Sequence, residues 1–253
     1  MKQQEIALVT GGSRGLGKNM ALQLAKGGKH IILTYHTHSE AAEDVINLLL
    51  AEGVKAIALP LDTTKTDTFS KFFEQLIEWT KTEFNRTTID YLINNAGTGH
   101  YVPFLETTEI QFDEMVNIHL KGTYFLTQQA VPYLKENGGI VNITSGLARF
   151  SLPNCSAYAS AKGGLEVLTR YLAKELAFKK IRANAVAPGA VATDFGGGEN
   201  KNNEQKREVI AKNTALGRVG EPEDIGGIVA FLCSDAGKWI NGQRLEASGG
   251  IFL

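Results

Sequence analysis

Tyr158 and Lys162 stand four residues apart in a stretch of helical periodicity, 157–178, a spacing that puts two side chains on one face of a helix. An ammonium beside a phenol favours the phenolate. A phenol of pKa ~10 must fall by about three units to work near neutrality, a preference of ~4 kcal/mol, and one positive charge about 4 Å away provides ~4 kcal/mol at an effective dielectric of 20. Ser145 follows the apolar run 140–144, thirteen residues before Tyr158, where its hydroxyl can hold an oxygen. Together the three suit hydride transfer to or from a carbonyl, which leaves an alkoxide needing a proton donor and a polarising group. Read singly, Ser145 is a strand-end turn residue and the Tyr–Lys pair an amphipathic surface pair. The chemistry depends on the elements that bring them together.

Short β-branched runs at 5–10, 30–35, 55–59, 89–94, 140–144, 181–187 and 243–246 read as strands. Amphipathic stretches at 15–26, 39–52, 66–84, 110–135, 157–178 and 222–234 read as helices between them. This alternation predicts an α/β fold, a doubly wound sheet of about seven parallel strands with helices on both faces. No linker or internal repeat divides the chain, so one domain is expected over 1–253. The polar, glycine-containing stretch 195–203 is the expected mobile segment, placed after a strand's carboxyl end, where ligands bind in such sheets.

The first strand runs into Thr10-Gly11-Gly12-Ser13-Arg14-Gly15-Leu16-Gly17, after which helical periodicity begins. Glycines let the backbone approach a pyrophosphate, and the free N–H groups and positive end of the following helix attract the anion. The spacing is Gly-x-x-x-Gly-x-Gly, unlike the Gly-x-Gly-x-x-Gly of many dinucleotide sites.

This turn, followed by Asp62 after the third strand, Asn94-Asn95-Ala96-Gly97 after the fourth, Ser145, Tyr158-x-x-x-Lys162 and Pro188-Gly189 with Thr193, resembles the short-chain dehydrogenase/reductase family in its compact single-domain branch. Order and spacing match over nearly the whole chain. The resemblance implies a Rossmann-type fold, a nicotinamide dinucleotide and a homotetramer. It also implies that Asp62, with Thr63, meets the adenine, that Asn95 to Gly97 line the cofactor cleft, and that Thr193 contacts the nicotinamide carboxamide. Ser145 then orients the carbonyl, Tyr158 exchanges the proton, and Lys162 lowers the tyrosine's pKa and grips the nicotinamide ribose. The activity so implied is reduction of a carbonyl or oxidation of a secondary alcohol, of the kind seen with 3-oxoacyl thioesters or other small ketones. Relatives that reduce enoyl groups separate Tyr and Lys by six residues, whereas three intervene here.

An acidic residue near the end of the second strand would hold the ribose 2′-OH of NAD. That position is Tyr35, followed by His36 and His38, and the glycine turn contributes Arg14, whose planar charged fork suits phosphate. NADP is therefore expected over NAD.

One position departs from the family. Where an asparagine of the fourth helix is thought to hold a water in a proton relay to lysine, this chain has His119-Leu120-Lys121-Gly122, with Asn117 on another helical face. His119 can take over the relay or be satisfied structurally. If the relay fails, a cofactor-binding sensor or scaffold without turnover is the alternative.

Composition excludes other classes. The chain is 43% hydrophobic and 21% charged with a net charge of −1, and shows no basic stripe for nucleic acid or membrane. Cys155 and Cys233 lack metal or disulfide spacing, so no metal is expected, and Cys155 reads as a small pocket residue. No leader-like segment opens the chain and no run approaches ~18 apolar residues; a cytoplasmic protein with a small-molecule substrate is expected. Residues near 100–105, 150–154 and 195–200 should line the pocket, and the apolar 251–253 should serve a subunit contact.

Overall fold

A computed structural model describes residues 4–253, so the first residues of the segment read as lacking a leader lie outside the described residues. Seven strands form one parallel sheet: β1 Ile6–Val9, β2 His30–Tyr35, β3 Ala56–Pro60, β4 Ile89–Asn94, β5 Leu134–Ile143, β6 Arg182–Pro188 and β7 Arg244–Ala247. Their order is β3-β2-β1-β4-β5-β6-β7. The chain therefore winds outward from β1 in one direction, returns beside it as β4, and winds outward in the other. Between β1 and β4 the crossovers leave opposite faces, opening a crevice at the carboxyl ends of the strands.

Two-residue alternation sends the strand side chains into two cores. Ala7, Val9, Ile31, Leu33 and Ile93 pack with Met20 and Leu24 of α1 (Gly15–Lys26), Val45 and Leu49 of α2 (Ser39–Ala51), and Ile225 and Val229 of a later helix, Glu223–Leu232. Ile6, Leu8, Ile32, Leu92 and Ile140 pack on the other face with Phe69, Phe73 and Leu76 of α3 (Phe69–Phe84) and with Leu126. Both faces of the sheet are covered by helices, as the continuous apolar strands require.

The stretch 110–135 is not one helix. It divides into α4 (Glu109–Val116), a widened turn of i→i+5 type over Asn117–Gly122, α5 (Thr123–Ala130) and a tight turn Val131–Tyr133. Pro132 removes a backbone donor and stops the helix. Leu134, which fits the helical period, pairs with Ile89 as the start of β5. In the widened turn His119 and Gly122 are the buried residues, and a side chain on Gly122 would strike the carbonyl of Thr63. Such turns recur at functional sites because the extra residue re-aims the side chains.

Polar side chains on the inner strands tie sheet to helices. Asn94 Nδ2 donates to Asn142 Oδ1 at 2.8 Å and to Thr127 Oγ1 at 2.9 Å, and Asn142 Nδ2 donates to Thr169 Oγ1 at 2.9 Å on α6 (Ser156–Glu175). In the stretch 195–203 a glycine-rich turn Phe195–Gly198 leads into α7 (Glu199–Asn202), and α8 (Glu204–Lys212) begins with Asn203 accepting from Lys206 N. Helix Glu223–Leu232 is α9.

Candidate active site

A cleft of about 1270 Å³ runs along the carboxyl ends of the strands, from the glycine turn at one end to Tyr158 at the other. At its first end Gly11 has φ +64°, a left-handed conformation that favours glycine, and a side chain on Gly17 would enter the carbonyl oxygen of Gly11. The turn is thus a backbone-lined cradle opening onto the first turn of α1, a fit for a pyrophosphate. Gly11, Ser13, Arg14, Gly15, Leu16 and Gly17 all line it.

Thr10 does not line the cleft. It is buried, its hydroxyl donating to Ile93 O at 3.2 Å and accepting from the amides of Asn95 at 2.9 Å and Ala96 at 3.0 Å. Its part is to join the glycine turn to the loop after β4, a contact that requires the β1–β4 pairing. Asn95 continues the tie through Nδ2, donating to Thr10 O and Gly11 O at 2.8 and 3.1 Å. Thr34, not singled out in the sequence, accepts from Gly11 N at 3.1 Å and fixes the turn against β2.

Tyr35, His36, Asp62 and Thr63 line the adjoining part of the cleft, as do Ala96, Gly97, Pro188, Gly189 and Thr193. Asp62 Oδ1 accepts from the amide and hydroxyl of Thr64 at 2.9 and 2.7 Å, so this carboxylate shapes its own turn while facing the cleft, with His36 Nε2 at 3.6 Å. Arg14 is exposed at the rim.

At the far end the side chains of Ser145, Tyr158, Lys162 and His119 converge. Ser145 leaves β5 in extended conformation, its Oγ accepting from Leu147 N at 3.2 Å. Lys162 is 4% exposed, and its Nζ lies 5.7 Å from the centre of the Tyr158 ring while donating to Ile143 O at 2.7 Å. The rings of His119 and Tyr158 meet edge to face at 4.9 Å, and Phe195 approaches Tyr158 at 5.9 Å.

Burial sets the charges here. It lowers the Lys162 ammonium to about 7, the dominant cause being loss of water around the charge. The phenol of Tyr158 moves opposite to the expectation from its lysine neighbour: burial raises it well above its ordinary value, Tyr101 adds to the rise, and the hydroxyl of Ser145 opposes it. Desolvation outweighs a single ammonium that is itself half titrated near neutrality. Buried His119 is pushed well below its usual range, by desolvation and by Lys162, with the Thr98 carbonyl opposing.

His119 Nε2 lies 2.6 Å from Thr98 O, a group that can only accept, so Nε2 carries the proton and Nδ1 is a lone-pair acceptor. That Nδ1 is buried without a partner in the protein. Gly97 makes room for the ring, since a side chain there would collide with it.

The walls come from the three expected segments and from others that the sequence did not point to: residues 251–252, Lys206, Val209 and Ile210 of α8 with Asn213 just after it, and Glu114 and Ile118. Tyr101 alone serves from 100–105; Phe150, Leu152, Pro153 and Asn154 serve from 150–154; Phe195 and its neighbours serve from 195–200. Cys155 also lines the cleft, its thiol raised by burial. Ile251 and Phe252 also line the cleft; Ile251 is buried, whereas Phe252 is partly and Leu253 almost fully exposed. Among the described residues no group of three or more His, Cys, Asp or Glu could hold a metal, and no helix is long and apolar enough to cross a membrane.

Comparison with known proteins matches residues 11–251 to the family model described as Enoyl-(Acyl carrier protein) reductase. The chain is 34% identical to the hydroxynaphthalene reductase-like protein Arp2 of Metarhizium anisopliae, covering 97% of this chain and 94% of that one. Among solved structures it is similar to the angucycline C-6 ketoreductase LanV with bound NADP (TM-score 0.93, 32% identity, 98% and 95% of the two chains). It is equally similar to the reductase LugOII, described as catalysing keto-reduction at C1 during lugdunomycin biosynthesis (TM-score 0.93, 33% identity, 98% of each chain). A glycine cradle, a Ser–Tyr–Lys cluster at the other end of the same cleft, and likeness along nearly the entire length agree: the chain belongs to the short-chain dehydrogenase/reductase family of oxidoreductases.

Proposed function

We propose that this protein is an NADPH-dependent reductase of a small ketone, working as one dinucleotide-binding catalytic domain over residues 1–253. The observation that carries this reading is the meeting of Ser145, Tyr158, Lys162 and His119 at the end of the cleft that begins at the glycine cradle. When bound, a nicotinamide dinucleotide supplies or takes the hydride.

The chain's own residues manage the oxygen. Ser145 orients the carbonyl by donating its hydroxyl, and the raised pKa of Tyr158 keeps it a protonated donor, suited to reduction. Tyr158 hands its proton to the oxygen as charge builds there. Lys162, poised about 7, steadies the phenolate and would hold the nicotinamide ribose. Neutral His119, its ring against Tyr158, takes the place in the proton path that an asparagine has in the family; its acceptor Nδ1 is closed to water in this conformation, so the relay needs a small shift that opens it.

NADP is favoured because no carboxylate stands at Tyr35 to repel a 2′-phosphate, while exposed Arg14 and His36 face that corner. The bound NADP of the angucycline relative supports the same choice. Of the cleft-lining residues, Asp62 and Thr63 would meet the adenine, Asn95, Ala96, Gly97, Pro188 and Gly189 would line the cofactor, and Thr193 would meet the carboxamide. The three-residue interval between Tyr158 and Lys162, with the reductase names of the relatives, supports carbonyl over enoyl reduction.

A homotetramer of this chain rests on the family resemblance, and sedimentation would read it. Two buried free thiols and an even charge support a cytoplasmic setting.

The test is titration with NADPH and NADH, followed by absorbance-monitored turnover of a β-ketoester and a bicyclic aromatic ketone. Tighter NADPH binding, with kcat lowered by roughly 10²–10⁴ in Tyr158→Phe, is the expected result. Failure to bind either dinucleotide overturns the reading.

A further inference from the structure

Residues 249–252 leave β7 and run antiparallel to the chain just after α8. Leu216 N donates to Gly249 O at 3.0 Å, Ala215 N to Gly250 O at 3.2 Å, Phe252 N to Asn213 O at 3.0 Å, and Ile251 pairs with Thr214. From the other side Arg149, four residues after Ser145, holds the same segment. Its guanidinium spans Glu246 with bonds of 2.7 and 2.6 Å and reaches the carbonyls of Ile251 at 2.9 Å and Phe252 at 3.4 Å. Ser248 Oγ adds a 2.8 Å bond to Glu246.

The held segment ends in a strained residue. Phe252 has φ +53°, in the left-handed region that a bulky side chain rarely adopts. Such a conformation persists only where its surroundings over-determine it, and it is found disproportionately at ligand clamps. Here its amide and carbonyl are both bonded, and its ring lies 5.0 Å from the ring of Phe150, tilted by 56°. The Arg149 guanidinium sits 5.3 Å from the other ring of that pair, Phe150. Both residues line the cleft that contains Tyr158, and the Phe150 ring lies against Gly146, the residue after Ser145.

We propose that Phe150 and Phe252, clamped by Arg149 and Glu246, form the specificity wall of the site and select a ketone whose carbonyl is fused to a flat aromatic ring system. The proposal rests on the carbonyl-reduction reading above. The carbonyl lies with Ser145 and Tyr158, and the distal ring packs on the aromatic pair, where stacked or edge contacts add to simple burial. A short aliphatic ketone has no ring to stack on that wall. Arg149 and Glu246 act through the two phenylalanines and are positioning residues.

The measurement is the ratio of kcat/KM for 2-tetralone to that for ethyl acetoacetate. In Phe252→Ala it should fall by about tenfold, the worth of one aromatic contact. Arg149→Ala, which keeps both rings and removes the clamp, should lower the same ratio, and Phe252→Tyr should retain it. A ratio within about twofold of wild type in both alanine variants overturns the proposal, as does an equal loss for both substrates. If the wild-type protein turns over neither ketone, the carbonyl-reduction reading fails separately. Calorimetric binding of 2-naphthol to the NADP-loaded protein then decides the wall: weakening of about tenfold in Phe252→Ala supports it, and equal binding or none overturns it.

Discussion

Gly97 and His119 share one small volume: a β-carbon on residue 97 would collide with Cε1 of the imidazole and lie 2.9 Å from its Nδ1. The two residues come from opposite ends of one long crossover between β4 and β5, the loop after β4 and the widened turn after α4, yet neither identity makes sense without the other. A larger residue at 97 would push the imidazole off Thr98 and off the face of Tyr158.

Gly97→Ala is therefore expected to lower kcat by about tenfold or more while NADPH binding changes less, because a misplaced relay group harms chemistry before affinity. His119→Asn, which keeps an acceptor, should retain more activity than His119→Leu, which keeps only bulk. Steady-state kinetics of the three variants beside NADPH titration would check this. Equal losses in the asparagine and leucine variants would give His119 a packing role only.

Lys162 has an ordinary pKa of 10.5 and titrates at about 7 in the folded protein. Its ammonium is present below that point and lost above it, so kcat/KM for reduction should decline as pH rises through about 7. The same shift has a cost in stability. Between 7 and 10.5 the unfolded chain binds the extra proton, so the folded state becomes less stable as pH falls across that window. Lys162→Met should therefore raise the melting temperature at neutral pH while abolishing turnover. A lower melting temperature would show that the bond to Ile143 O outweighs the burial of charge.

Glu246 is held at about 2, below its ordinary 4.5, first by hydrogen bonds from Arg149 and, against the opposing effect of burial, by Arg244 and Ser248. A depressed carboxylate contributes stability that is complete above the unfolded value and lost as pH falls through the folded one. Acid titration of wild type should thus show a loss between about 4.5 and 2 that is smaller in Glu246→Gln. Parallel melting curves at pH 6 and pH 3 would read the difference, and identical acid profiles would rule out this ion cluster as a contributor.

Asn142 links Asn94 on β4 to Thr169 on α6 with every bond buried. Asn142→Ala leaves Asn94 Nδ2 with one partner and Thr169 Oγ1 without its donor, and is expected to cost about 1–3 kcal/mol. Urea unfolding would measure it. Since α6 carries Tyr158 and Lys162, activity should fall before the protein unfolds.

Much of this was legible locally. The strands at 30–35 and 89–94 and the first helix at 15–26 have the same limits in sequence and structure, because β-branched runs meet glycine turns there and local sterics suffice. The Tyr158–Lys162 pair was legible because four residues on a helix face is a local spacing. The break at 117–122 and the start of β5 at Leu134 were not. Helical periodicity continues across both, and only Thr63 against Gly122 and Ile89 against Leu134 decide them. Thr10 likewise carries the type and place of a ligand contact, but its hydroxyl is taken by partners more than eighty residues away.

The sequence by itself determined the alternation, the glycine cradle and the residues able to move a proton, since these depend on residue type and short spacings. Tertiary structure alone decided their charge states and the walls around them. Burial of Tyr158 reverses the pKa shift that its lysine neighbour suggests, and a network of chain-distant bonds brings residues 251–252 to the lining of the pocket. Desolvation and long-range hydrogen bonding depend on what surrounds a residue in space, which no local pattern records.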